Sequence, residues 1–224
     1  MAVPRPLDEE VIMSMASIGR RCWLRAAFAT VGVALAGARA MADTAAVAPI
    51  RELCDSLLGI MRAGTSTPFA QRFDRLAPAV ERAFDLPAIL QLSVGPTWAS
   101  LPPDQQAALL TAFRRYTIAN YVNSFDNYNG QRFDILPDTK ALPSGEQVAQ
   151  TRIISNSGES HELDYVMRQG GGTWKAVDVL ADGSISRVAV QRSDFRRLVS
   201  RGGASALIDS LKRKTSDLSG GAMS

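Results

Sequence analysis

Residues 160–180 read SHELDYVMRQGGGTWKAVDVL. Within them His161, Leu163, Tyr165 and Met167 share one parity, while Glu162, Asp164 and Arg168 share the other. That is the period-two pattern of a strand with one buried face. Gly170–Gly172 breaks the run as a turn, and Thr173–Leu180 reads as the next strand. A connection this short joins antiparallel neighbours. Toward the N-terminus, Gln147–Ile154 and Gln131–Leu136 alternate in the same way, with Asn156-Ser157-Gly158 as the turn into Ser160–Arg168. The expectation is an antiparallel sheet of about four strands.

Upstream of Gly130 the rhythm is helical. Ile50, Leu53, Leu57, Ile60 and Met61 recur at three- and four-residue steps between Pro49 and Gly64, which suits a helix with proline in its first turn and glycine at its end. A second stretch begins near Thr67-Pro68 and carries Phe69, Phe73 and Leu76. Pro78 is expected to interrupt it before Val80 and Phe84. Asp85-Leu86-Pro87 restarts a short helix that Gly95-Pro96 stops. The longest helix follows Pro102-Pro103-Asp104, with Leu110, Phe113, Thr117, Tyr121, Phe125 and Tyr128 as its stripe and an end expected at Asn129-Gly130. Two further helices, near Arg192–Arg201 and Ala204–Thr215, flank Gly202-Gly203, and the polar tail Ser216–Ser224 is expected to fray. Helices, a meander and helices again make an α+β domain with helices on one face of the sheet.

The first 42 residues read differently. Arg20, Arg21 and Arg25 precede thirteen uncharged residues, Ala26–Ala38. The small-residue patterns Ala38-Arg39-Ala40 and Ala40-Met41-Ala42 follow. Positive, apolar and small-residue segments in that order describe an export signal. Thirteen helical residues rise only about 20 Å against roughly 30 Å of bilayer hydrocarbon, too little to span it. The expected division is therefore a signal over 1–42 and one domain over 43–224. Removing the signal takes five basic and three acidic side chains from totals of 25 and 22, leaving 20 and 19. The overall pI of 9.1 thus reflects the leader, and a nucleic-acid partner is not expected. Cys22 leaves with it, so Cys54, set among Leu53, Leu57 and Leu58, reads as a core thiol without a disulfide partner.

Catalytic signatures are missing from this chain. It carries no Gly-x-Ser-x-Gly elbow, no Walker A loop and no Gly-x-Gly-x-x-Gly fingerprint. The single histidine, His161, would have to serve any imidazole chemistry alone. Asp164 and Asp178, on adjacent strands, are placed to form a carboxylate pair, and cross-strand pairing with Arg152, Arg168 or Lys175 is the plainer role. No catalytic residue, metal ligand or cofactor is expected. The aromatic stripe admits two readings: a helix packed on a sheet, or an apolar pocket between helix and sheet open at one edge.

Three blocks give the chain a family resemblance. The first runs from Phe84-Asp85-Leu86 through Trp98, Leu101 and Asp104-Gln105-Gln106 to Phe113-Arg114-Arg115-Tyr116. The second is Tyr121-Val122-Asn123-Ser124-Phe125 leading into Tyr128-Asn129-Gly130-Gln131-Arg132-Phe133. The third joins Leu163-Asp164-Tyr165, Trp174–Val179, Asp182-Gly183, Ser186, Phe195, Gly202-Gly203-Ala204 and Leu211. In order and spacing they resemble the periplasmic lipid-binding proteins of the MlaC type, also called the toluene-tolerance family. Asp182-Gly183-Ser184-Ile185-Ser186 is one residue longer than the usual form, and with Arg187–Phe195 it resembles the hopanoid-associated HpnM branch. The resemblance implies a soluble shuttle without catalysis, carrying phospholipid or hopanoid between an inner-membrane transporter and an outer-membrane acceptor. At about 0.8 kcal/mol per methylene, roughly 30 methylenes hold a lipid in its membrane by about 24 kcal/mol, so unaided transfer is very slow.

From face and periodicity, the candidate lipid-lining residues are Leu92, Trp98, Tyr121, Phe125, Tyr128, Ile153, Leu163, Tyr165 and Val177. An alternative is a small enzyme using Asp164 or Asp178 in the pocket, and a third is a scaffold of a membrane complex that binds no lipid. The pocket reading predicts that Tyr165→Glu weakens lipid retention while sparing most of the fold, measured as lipid bound per folded protein.

Overall fold

The computed structural model describes residues 45–223. The export signal read over 1–42, and Cys22 within it, lie outside the described residues. The helices are α1 (Ala48–Ala63), α2 (Phe69–Ala83), α3 (Leu86–Val94), α4 (Pro103–Ser124) and α5 (Arg187–Leu218), with a 3-10 turn at Gly95–Ser100. Between α4 and α5 run β1 (Arg132–Ala141), β2 (Gln147–Ile154), β3 (Ser160–Gly170), β4 (Thr173–Ala181) and the two-residue β5 (Ile185–Ser186). The five strands pair antiparallel in chain order, an open meander. The α+β class is as expected, with one short extra strand. No helix among the described residues is long and apolar enough to cross a membrane.

Local chemistry accounts for the boundaries. Asp85 caps α3 by accepting the Ala88 N–H at 3.1 Å. Ser186 caps α5 through the Ala189 N–H at 2.9 Å. The β3–β4 turn is Gly171-Gly172, both with positive φ, as a two-residue hairpin between right-twisted strands requires.

Several boundaries depart from the sequence reading. Pro78 lies inside an unbroken α2. It sits on the exposed side of the helix, as does Asp74 one turn earlier, while Leu76, Ala77, Ala79 and Val80 hold the helix against the core. α4 stops at Ser124 with Phe125 as its cap, so Tyr128 lies in the following loop. β1 continues past Pro137 because its register shifts between Ile135 and Thr139, and an edge strand tolerates proline at such a shift. The tail does not fray: the Met223 N–H donates to Ser219 Oγ at 3.0 Å, and Arg115 reaches the Met223 carbonyl at 3.4 Å.

The helix layer packs as two pairs, α1 with α2 and α4 with α5, with α3 against α5. Leu53, Leu57, Leu76, Leu90, Phe113, Ile118 and Leu207 fill it. Cys54 is buried among them, as its neighbours suggested. Arg72, also buried, donates to the carbonyls of Thr67 and Val122 at 3.2 and 3.3 Å and so ties the start of α2 to the end of α4.

Helix α5 bends at the expected glycines. Gly202 has φ −152° and Gly203 has φ 66° with ψ −163°, a region open in practice to glycine alone. Gly203→Val is therefore expected to cost on the order of 1–3 kcal/mol. The thermal midpoint should fall by several degrees, and an unchanged midpoint would show that the bend does not need glycine.

Candidate functional site

The layers meet in a seam of rings. On β2 and β3, Ala149, Thr151, Ile153, Leu163, Tyr165 and Met167 share one face through their cross-strand register. That face is turned to the helices, where Ala149, Tyr165 and Met167 are fully buried. Thr151 Oγ1 donates to the Leu163 carbonyl at 2.6 Å, so its hydroxyl is satisfied within the sheet. Opposite lie Tyr121 of α4 and its C-cap Phe125, with Phe84 from the α2–α3 junction. Tyr165 stands 6.0 Å from Phe84, Phe84 5.6 Å from Tyr121, Tyr121 6.0 Å from Phe125, and Phe125 6.1 Å from Phe133 of β1, measured between ring centroids. Five rings thus link the middle of the sheet to its β1 edge.

Helix backbones approach the sheet most closely at its two sides. α2, α3 and α5 meet β4, and α1 meets β1. Across β2 and β3 the gap is filled by side chains. Burial raises the Tyr121 and Tyr165 phenols above their ordinary 10.0 and pushes the Cys54 thiol from 9.0 to about 12. Arg187, at the start of α5, works against the burial at Tyr121.

The structure brings together Tyr121, Phe125 and Tyr165, with Ile153 and Leu163 on the same sheet face. Trp98 is half-buried against the same core. The other three expected residues lie elsewhere. Leu92 is 42% exposed, because α3 turns Leu86, Ile89, Leu90 and Val94 inward and leaves Leu92 on the outer side. Tyr128 is 40% exposed beyond the end of α4. Val177 is buried at the β3–β4 register shift, unpaired between Ala176 and Asp178 and outside the main core. Phe84 and Phe133 were not expected in the site. Phe84 directly precedes the Asp85 cap, where an apolar residue commonly pins the chain entering a helix. Phe133 alternates with Ile135.

Tyr165 is 1% exposed, which corrects the expectation for Tyr165→Glu. A carboxylate there would lose several kcal/mol of solvation and damage the fold itself.

Asp164 and Asp178 lie on the sheet face away from Tyr165. Asp164 neighbours Tyr165 along the strand, and Asp178 pairs with Val166. Asp178 is occupied structurally: it accepts from Ser186 Oγ at 2.5 Å and from the Val188 N–H at 3.0 Å, which fastens β4 to the start of α5. Neither acid lines the seam. Among the described residues no group of three His, Cys, Asp or Glu side chains could hold a metal ion.

Two clefts open elsewhere. One, of about 600 Å³, lies between α4 and the end of α5, with Ala108, Ala112 and Ile208 as apolar lining and Arg115, Lys212 and Arg213 as cations. The other, of about 380 Å³, lies between the end of α1 and residues 126–129, and it includes Tyr128.

A helix layer on one face of an open meander, joined to it by a band of rings, defines an α+β domain whose apolar seam is its distinctive feature. The MlaC protein family model matches residues 51–213, and the chain belongs to that family. Seven chains of solved structure also match. One is a phospholipid-binding protein from Ralstonia solanacearum in complex with a phospholipid, 21% identical, with a TM-score of 0.66 over 77% of this chain and 98% of that one. At that identity the likeness establishes the fold. No curated protein matches.

The buried phenols and thiol give a pH prediction. In the unfolded chain the thiol ionises near 9.0 and the phenols near 10.0, whereas the folded chain holds those protons to higher pH. Their contribution to stability is complete below about pH 8 and is lost as pH rises past 9 and 10. Urea midpoints should fall steeply between pH 9 and 11, and less so in the Tyr121→Phe, Tyr165→Phe double variant. Equal slopes would mean that these phenols do not govern alkaline unfolding.

Proposed function

We propose that this chain is a lipid-binding shuttle of the periplasm, carrying phospholipid or hopanoid between the inner and outer membranes. It takes up or returns its cargo at an inner-membrane transporter complex and exchanges it with an outer-membrane acceptor. The observation that carries this reading is the ring-lined seam between sheet and helices, in a fold whose Ralstonia counterpart is described with a phospholipid bound. Membership of the MlaC family over most of the domain supports the same reading.

The lipid tails would lie along Tyr121, Phe125, Ile153, Leu163 and Tyr165, with Trp98 bordering the same core. The rings touch one another, so two acyl chains enter only as helices and sheet part. Each chain then replaces ring–ring and ring–aliphatic contacts with contacts of the same apolar kind. Burial per methylene matches that in the membrane left behind, so exchange runs near balance, as a shuttle requires. Such transfer breaks no covalent bond and calls for no nucleophile.

The test is mass spectrometry of an organic extract of residues 43–224, purified from the native periplasm. Phospholipid or hopanoid is expected in near-stoichiometric amount, and its identity names the cargo. A protein that carries no lipid, and takes none up from vesicles, would overturn the shuttle reading and leave a scaffold or an enzyme.

A further inference from the structure

The 380 Å³ cleft at the β1 side lies near the lower end of the roughly 300–1,000 Å³ of small-molecule sites. Its walls are the last turn of α1 with the following loop, and residues 126–129. Phe125, the residue just before that second wall, carries the ring next to the edge of the aromatic row. An apolar seam and a polar cleft are therefore contiguous along the chain.

The charges in the cleft are uncommitted. Arg62 lies over the Tyr128 ring, its guanidinium carbon 5.2 Å from the centroid. Stacking occupies one face of the guanidinium and leaves its N–H edge free to donate, the geometry that suits a phosphate oxygen pair. Asp126 lines the same cleft. Neither forms an ion pair among the described residues, whereas Arg82 with Glu52, Arg152 with Asp134 and Arg168 with Glu146 all do. Arg62 and Asp126 share one cleft without neutralising each other. Two helix C-termini, of α1 and α4, also end here, and their carbonyl ends add negative partial charge. A purely anionic group would meet that charge unfavourably. A group with a phosphate at one end and an ammonium at the other matches both sides.

We propose that this cleft is the headgroup site of the carried lipid and that it selects a zwitterionic phosphoester, with Arg62 on the phosphate and Asp126 on the ammonium. The assignment rests on the lipid-binding reading above and narrows the cargo to lipids of the phosphoethanolamine kind. Neither a neutral hydroxylated triterpenoid nor an anionic phosphoglycerol engages both charges.

The experiment loads the exported protein from vesicles holding equal parts dioleoyl phosphatidylethanolamine and dioleoyl phosphatidylglycerol, then measures the bound ratio by mass spectrometry. The wild-type protein is expected to hold the zwitterionic lipid in roughly threefold excess or more, the scale of partly exposed charge pairs. Asp126→Asn should bring the ratio toward one, and Arg62→Gln should reduce the retention of both lipids. Thermal midpoints of both variants, expected near wild type, separate selectivity from misfolding. An even ratio in the wild type, or an unaltered ratio in Asp126→Asn, overturns the headgroup assignment while leaving lipid carriage intact. A wild-type protein that loads neither lipid overturns phospholipid carriage, and the headgroup assignment with it. Glycerophosphoethanolamine, which has the headgroup without tails, is expected to leave bound lipid in place. Displacement by it at millimolar concentration would make the cleft a site for a soluble phosphoester instead.

Discussion

One backbone hydrogen bond carries an unusual share of this fold: the Asp85 N–H donating to the Ala176 carbonyl at 2.9 Å. β5 pairs only with Leu180 and Ala181, so the rest of the outer edge of β4 is left without a strand. Phe84 supplies a single parallel bridge to Ala176 at that edge. An unpaired edge invites pairing with another chain, and the α2–α3 junction closes it. The same two residues do more. The Asp85 carboxylate caps α3, and the Phe84 ring lies between Tyr121 and Tyr165. Lys175 adds a bond to the Glu81 carbonyl at 2.8 Å, a cation at the carbonyl end of α2. Remove this junction and the sheet edge, the start of α3 and the middle of the seam are lost together.

That anchorage explains why the seam is made of rings. Helix backbones approach the sheet closely along β4 and again at β1, and between those lines they stand off from β2 and β3. Only large side chains bridge such a gap. A ring pair adds about 0.5–1.5 kcal/mol beyond the area it buries, enough to order the seam and comparable to what another apolar surface offers in exchange. The helix pairs themselves are fixed more firmly, with Arg72 binding α2 to α4 and an Arg82–Glu52 ion pair bridging α1 and α2.

Much of this was legible in the chain, and the failures share a cause. Period-two alternation around Tyr165 located β2 to β4 because Ala149, Tyr165 and Met167 fall on one face against the helices, although the middle of β3, Asp164 to Met167, is buried on both sides. Gly202-Gly203 marked the bend in α5 because the backbone there takes a conformation reserved for glycine. Pro78 misled because its effect depends on which way the helix faces, and on its solvent side a missing hydrogen bond is made good by water. Leu92 misled for the converse reason: on a short helix of nine residues, mostly apolar, the pattern cannot say which side is inside. Tyr128 was placed one turn too far along α4, whose last residues, Asn123 and Ser124, compete with the helix through their own side chains. Phe84 escaped notice because its role is set by a bridge to a strand about ninety residues later, and no local pattern encodes that. Tyr121, Phe125 and Tyr165 were found together because a helical stripe and a strand face, each correct alone, happen to meet.

The ties between the layers also decide which edge of the seam can yield. Along β4 the connections are directional: Asp85 to Ala176, Lys175 to Glu81, and Asp178 to Val188 and Ser186. Each loses its hydrogen bond if β4 moves by more than about an ångström. Along β1, where α1 also approaches, the ring contact between Phe125 and Phe133 is apolar and without fixed direction, and it tolerates sliding. A seam that admits acyl chains therefore parts from the β1 side and turns on β4. The cleft with Arg62 and Asp126 stands on that same side, so in the carrier reading proposed above a charged headgroup would rest in water at the mouth while its tails would pass Phe125 and Tyr121 toward Tyr165. The polarity of a phospholipid and the order of residues from Arg62 to Tyr165 thus run in the same direction.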